Sequence, residues 1–254
     1  MKDLKVLLTF PAASEHELRL PETDQALHVW FEMAAHYEGF SLADQSWIHC
    51  FGFDNSFYYL LFIPSLLRAL NSQAKLPDAV ITNEFLLLDG MKFSTSREHA
   101  IWADEFNGNT DHLRLYLSLH RPATLQCDFK IEKFRSFSAD LEAQLQILKQ
   151  RAKCVAQKSK NKTPQTALLN CNRFTRDMEL FLSPKNFDPR RASRHLLALI
   201  DVTIHSSEDA SGERLMLQAL GTLMSPFMPN ESEALLEALN ESSRMWFTDW
   251  ARAL

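Results

Sequence analysis

Residues able to do chemistry gather in the loop Lys92-Phe93-Ser94-Thr95-Ser96-Arg97, which offers two cations and three hydroxyls within six positions. Such a set can hold a polyphosphate through charge-assisted hydrogen bonds. The same composition also describes an ordinary solvated loop, so the loop alone leaves both readings open. What must position it is legible upstream. Ala79 to Leu88 is apolar enough for a short buried strand, and Asp89-Gly90 is a turn signal that delivers the chain to Lys92.

Three further groups carry possible chemistry. Trp30 and Tyr37 lie seven residues apart where an apolar run, Leu27 to Phe31, passes into the helix-like stretch Glu32 to Tyr37. They suit core packing or an aromatic pocket. Trp47 to Asp54 reads as a strand ending at Gly52, with Asp54 placed to cap the helix expected over Phe57–Leu70. That helix is apolar on almost every face, and Pro64 should kink it. Finally, Lys149, Arg151, Lys153, Lys158, Lys160 and Lys162 follow one another with no acid among them. They end a long helix expected over Phe134–Gln157, so they are either a solvated helix end or a phosphate-contacting patch.

The remaining elements follow from periodicity. Leu4 to Phe10 reads as a short strand stopped by Pro11, and Ser14 to Glu22 as linker. Helices are expected over Arg97–Phe106, Asp111–Ser118, 166–182, 188–205, 212–225 and 230–251. Asp188-Pro189 marks one start, Ser232-x-x-Leu235 another, and Ser225-Pro226 a stop. Asp111 and Arg114 are spaced for an i,i+3 helix pair.

The order of these residues resembles the methionyl-tRNA synthetases, a class I aminoacyl-tRNA synthetase family. Lys92-Phe93-Ser94-Thr95-Ser96 stands where the family has Lys-Met-Ser-Lys-Ser, keeping the first lysine and both serines but replacing the second lysine by Thr95. Trp30 and Tyr37 fall on positions that line the methionine side-chain pocket, where ring edges suit a thioether; Glu32 stands for an aspartate. His49, Gly52, Asp54, Phe62, Pro64 and Leu67 match the strand and helix that follow. Phe53 replaces a lysine, and Tyr59 replaces the histidine beside the amino-acid pocket. Asp54 matches the aspartate that faces the nucleotide ribose. Asp111, Leu113, Arg114, Tyr116, Leu117 and Asp128-Phe129 match the connector toward the anticodon-binding helices. There the likeness is one of architecture, carried by Leu223-x-x-Pro226-x-x-Pro229. The family's anticodon-reading side chains lack clear counterparts, and Arg151 is displaced by one position from the arginine.

The resemblance implies an α/β portion followed by an all-α portion. A partial Rossmann-like parallel sheet would occupy residues 1–130 and an anticodon-binding-like helix bundle residues 131–254. It implies catalytic roles for Lys92, Ser94 and Ser96, and nucleotide contacts for Gly52, Asp54 and Lys92. Trp30, Tyr37 and Tyr59 would contact the amino acid; on the phosphate-contacting reading of the basic run, Lys149, Arg151, Lys153 and Lys158 would contact the RNA. ATP, methionine or a related amino acid, and tRNA are the implied ligands. The 254 residues contain no His-Ile-Gly-His motif, which the family carries in the first half of its nucleotide-binding fold. Adenylation by this chain alone is therefore not expected. A protein partner or a second copy is expected at the sheet edge that the first half would cover. The alternatives are a subunit of a split ligase, completed by a separately encoded half, and a scaffold without ligand.

Composition narrows the classes. A net charge of −5 excludes a uniformly basic nucleic-acid coat while permitting a local basic patch. The cysteines, Cys50, Cys127, Cys154 and Cys171, show no paired metal-ligand spacing, which points to reduced thiols in the cytoplasm and to no metal centre. With six glycines there is no Gly-rich phosphate loop. No apolar run is long enough for a membrane span, and the start does not read as a signal peptide.

Overall fold

Parallel strands can be joined only by a crossover, and the sequence between Gly52 and Ala79 supplies one. The computed structural model describes residues 9–11, 17–41, 47–158 and 164–240. Two compact units divide the chain between Asn83 and Glu84.

In the first unit, β1 (Thr9–Pro11) pairs antiparallel with β2 (Gln25–Leu27), which leads directly into helix α1 (Val29–Ser41). Strand β3 (Ile48–Gly52) then crosses over through α2 (Ile63–Leu70) to β4 (Ala79–Asn83), its parallel neighbour. Of the predicted strand Leu4–Phe10, only the end lies within the described residues. The kink expected at Pro64 takes the form of a π-helical segment, Tyr58–Phe62, immediately before α2. Proline has no N–H to give and its ring crowds the carbonyl four residues back, so the wider turn relieves both problems. Ala34, Ile63, Leu67 and Ala74 form the core here, with Trp30, Tyr37, Trp47, Tyr59 and Phe62 packed against it.

The second unit opens with a hairpin. β5 (Leu86–Leu88) turns through Asp89 and Gly90 into β6 (Met91–Lys92). Both turn residues have positive φ, 47° and 84°. That conformation twists with the strands and is the reason an Asp-Gly pair makes this turn. β5 also pairs in parallel with β7 (Cys127–Phe129). The single strand expected over Ala79–Leu88 is thus two strands in two sheets. The break is at Glu84-Phe85, where Glu84 N–H donates to the Pro122 carbonyl and Phe85 C=O accepts from Cys127 N–H. The helix expected over Arg97–Phe106 is absent. A 3-10 turn at Thr95–Arg97 is closed by Glu98 in the left-handed region (φ 54°), and Ser94 and His99 exchange backbone hydrogen bonds around it. The His99 ring then bonds the Leu88 carbonyl at 2.8 Å, which holds the loop back on β5 and forbids helix continuation.

Helices follow in sequence: α3 (Thr110–Leu119), α4 (Ile131–Ala156), α5 (Gln165–Leu182), α6 (Pro189–His205), α7 (Ala210–Met224) and α8 (Pro229–Ala238). Asn109, Asp188 and Asp209 cap α3, α6 and α7, each carboxylate or amide oxygen accepting two first-turn N–H groups. The helix expected over 230–251 starts at Pro229 and ends at Ala238, with Asn240 in the left-handed conformation that often closes helices; residues 241–254 lie outside the described residues. Leu141, Leu145, Leu148, Leu196, Leu199, Ile200 and Leu217 are essentially inaccessible and form the bundle core. Gly221 lets α7 and α8 approach, since a Cβ there would meet Leu236 side-chain carbon at 2.8 Å. Residues 84–130, which the resemblance assigns to the sheet portion, pack within the same unit as the helices. No helix among the described residues is long and apolar enough to cross a membrane.

Candidate functional site

The first unit carries an aromatic cluster. Trp30 on α1 meets Tyr59 edge to face at 5.4 Å between ring centroids and stacks on Tyr58 at 4.0 Å. Tyr37, two turns along α1, lies 6.2 Å from Tyr59. The structure therefore gathers Trp30, Tyr37 and Tyr59 in one cluster packed against the core of this unit, and adds Trp47, His49 and Phe51 from the β3 region. The Tyr37 phenol is pushed up to about 12, first by burial and then by its hydrogen bond with Tyr59. An open hollow of about 340 Å³ runs along α1 beside it, lined by Val29, Glu32, Met33, His36 and Tyr37.

His49 sits inside this cluster, 4% exposed, with rings of Tyr37, Trp47 and Tyr59 at 4.6, 4.7 and 5.3 Å. Burial holds its pKa below the usual histidine range. The neutral ring is the folded form, while the unfolded chain takes up a proton near pH 6.5. The stability His49 contributes is complete above that pH and is lost as pH falls below it. His49→Phe is therefore expected to flatten the decline of the urea midpoint between pH 6.5 and 5; an unchanged decline would count against a neutral, buried His49.

Gly52 ends β3, and Asp54 follows in a 3-10 turn, Phe53–Asn55. Asp54 does not cap the helix as its position predicted: no side-chain cap bond is made at Phe57. Its carboxylate folds back instead, so that Oδ1 would lie 2.6 Å from a Cβ built on Gly52. Asn55 Nδ2 donates to the same oxygen at 3.4 Å. Glycine is thus required at 52 for Asp54 to take this pose, which leaves the carboxylate exposed to solvent.

In the second unit, Lys92 ends β6 with its ammonium 4.3 Å from the centroid of the Phe85 ring. Ser94 and Ser96 approach each other at 3.3 Å between hydroxyl oxygens. Lys92, Thr95, Ser96 and Arg97 are exposed. The hairpin beneath is pinned where Gly90 N–H donates to Asp128 Oδ1 at 2.8 Å. The loop is a tight turn that leaves both cations, Thr95 and Ser96 facing solvent, with Ser94 half-buried.

The basic stretch divides on inspection. Lys149 Nζ is 2.7 Å from Glu231, and the Arg151 guanidinium bonds Glu213 and the carbonyls of Thr203 and Ile204 at the end of α6. Lys153 and Lys158 are exposed, and Lys160 and Lys162 lie outside the described residues. Asp111 also differs from expectation. Both its oxygens face α8, accepting from Asn230 Nδ2 at 3.1 Å and Glu231 N–H at 3.0 Å, so it ties two helices together rather than pairing along its own helix with Arg114. His112, Glu142 and Glu231 form a further grouping that the sequence reading missed.

The architecture, short parallel strands leading into a helix bundle, is that of the class I tRNA synthetases. It superimposes on Mycobacterium tuberculosis methionyl-tRNA synthetase in complex with methionyl-adenylate with a TM-score of 0.70 at 15% identity, covering 96% of this chain and 56% of that one. A LeuRS–tRNA–LeuAMS ternary complex from Agrobacterium radiobacter K84 gives 0.70 at 12% identity, over 85% of this chain and 32% of that one. Residues 19–153, more than half of the sequence, match the family described as tRNA synthetases class I (M), and the chain belongs to that family. Methionine–tRNA ligase of Methanocaldococcus jannaschii is 31% identical over 131 residues, which is 46% of this chain and 20% of the relative. The Bacteroides fragilis enzyme is 28% identical over 265 aligned residues, 87% of this chain and 39% of the relative. This chain thus spans between about a fifth and two fifths of the length of these curated relatives.

Proposed function

We propose that this chain is a methionyl-tRNA-synthetase-like protein that binds tRNA, and an amino acid or nucleotide, without carrying out aminoacylation by itself. The observation that carries the reading is the loop at 92–97, which keeps Lys92 and Ser96 exposed, with Ser94 half-buried beside Ser96, on a tight turn with Thr95 in place of its second lysine. Lys92, Ser94 and Ser96 would contact phosphate, and Asp54, accommodated by Gly52, a ribose hydroxyl. Trp30, Tyr37 and Tyr59 would wall the amino-acid side chain. Lys153 and Lys158 are the cations best presented to RNA, with Lys149 and Arg151 behind them. The cysteines, scattered without paired spacing, accord with a cytoplasmic protein.

Removing one donor aimed at developing charge typically lowers a rate by about 10²–10³-fold. Here Thr95 and Phe53 each stand where the family has a cation, so the deficits combine. With methionine and ATP, the purified chain is expected to show no pyrophosphate exchange above the protein-free blank. Exchange by the chain alone would overturn the reading.

A second reading is a ligase subunit completed by a separately encoded half or by another protein partner. It is favoured by the β3–β4 sheet, which among the described residues has only two strands, whereas parallel sheets are ordinarily larger and covered on both faces. Exchange that is absent alone and recovered on adding a chain bearing the first half of the nucleotide-binding fold would support this second reading.

A further inference from the structure

We infer that His112 on α3, Glu142 on α4 and Glu231 on α8 form a divalent-cation site of the zinc class. One ligand atom from each lies within 4.8 Å of the other two. His112 is 1% exposed, and its Nε2 has no hydrogen-bond partner; Glu142 Oε2 lies 3.7 Å from it. A buried imidazole nitrogen aimed at carboxylates beyond hydrogen-bond reach calls for a cation between them.

The surroundings orient each ligand. Ser138 Oγ is 2.8 Å from His112 Nδ1, so the proton can sit on Nδ1 and leave the Nε2 lone pair directed at the carboxylates. Gln146 Nε2 donates to Glu142 Oε1 at 2.6 Å, leaving Oε2 toward His112. Asn109 Nδ2 donates to Glu231 Oε1 at 3.3 Å. Zinc bonded to nitrogen and oxygen at about 2.0–2.2 Å places tetrahedral ligand atoms roughly 3.3 Å apart, so the His112–Glu142 spacing needs only a small contraction. Glu142, 42% exposed at its side chain, provides the entry route, and water would complete the coordination.

Charge points the same way. Asp111, Glu142 and Glu231 face His112, and the one ammonium among them is Lys149, paired with Glu231 Oε2 at 2.7 Å. Three carboxylates against one cation leave a surplus of two negative charges, which a divalent ion balances. Lys149 is then a competitor for Glu231, and its removal should tighten binding.

The test is zinc titration by calorimetry of the chelator-treated 254-residue chain, with thermal melts alongside. Wild type is expected to bind one equivalent at micromolar affinity or better, with Tm rising by about 5 °C at a hundredfold excess over Kd. His112→Asn and Glu142→Gln should each weaken binding at least tenfold and lose the shift, and Lys149→Gln should strengthen it. His205→Asn, which removes an exposed histidine on α6, should leave it unchanged. No stoichiometric zinc, or equal zinc in wild type, His112→Asn and Lys149→Gln, would overturn the site. Lys149→Gln keeps the test decisive if the other variants fold poorly.

Discussion

Arg151→Ala is expected to lower the unfolding free energy by about 3 kcal/mol, read as a fall in the urea midpoint. The guanidinium joins Glu213, only 15% exposed at its side chain, to the carbonyls of Thr203 and Ile204, which lie in the last turn of α6. Carbonyls at a helix C-terminus run short of intrahelical donors; Thr203 accepts in addition from the Ser206 N–H at 3.4 Å. Truncation strands the Glu213 carboxylate and takes a donor from each carbonyl, and breaking such a pair ordinarily costs about 3–5 kcal/mol, less where water can reach it. Arg151→Lys should recover less than half, because a single ammonium cannot reproduce the planar fork that spans three acceptors. An Arg151 serving only as an RNA contact would give a different pattern: Ala would leave the midpoint unmoved, and Lys would behave as wild type.

Asp111→Ala is expected to cost about 3 kcal/mol as well, by a separate mechanism. Asp111 is 1% exposed and accepts from the Asn230 amide and the Glu231 N–H in the first turn of α8. Alanine leaves the buried Glu231 N–H unsatisfied, at about 1–3 kcal/mol, and gives up the bond from the exposed Asn230 amide. It also removes a negative charge from beside the N-terminal dipole of α8. A thermal or denaturant melt of Asp111→Ala, Asn230→Ala and the double variant should give a coupling energy above about 0.5 kcal/mol, since the two side chains share one hydrogen bond. Additive losses would show that Asp111 acts on α3 alone.

These two residues also mark where the sequence stopped being informative. Local signals translated faithfully: Asp89-Gly90 makes its hairpin, Asp188-Pro189 starts α6, and the leucine spacing of α4 faces the core. Each depends on residues within a turn or two. Arg151 was legible only as one cation in a basic run, because its partner Glu213 is 62 positions away. Asp111 offered Arg114 as an apparent partner because the α8 residues it holds are 119 and 120 positions distant. The same separation hid the grouping of His112 with Glu231. Ala79–Leu88 looked continuous since apolarity does not record which sheet a residue joins. The helix expected at Arg97–Phe106 lost to the backbone closure at Ser94–His99, which hydrophobic periodicity does not encode. Of the candidate site, Trp30, Tyr37 and Tyr59 were singled out by the family resemblance, while the cap expected of Asp54 is not made and its fold back onto Gly52 left no local signal. His49 was read as a family match, and its place inside the cluster came from the side chains that surround it.

The reading of this chain as a tRNA binder is tested most directly by fluorescence anisotropy with labelled methionine tRNA across a salt series. Phosphate contacts release counterions, so log affinity should fall linearly with log salt, and Lys153→Gln with Lys158→Gln should reduce the slope by about 1.5. Absence of binding at 50 mM salt, or binding indifferent to salt, would contradict the account and leave the fold as a scaffold.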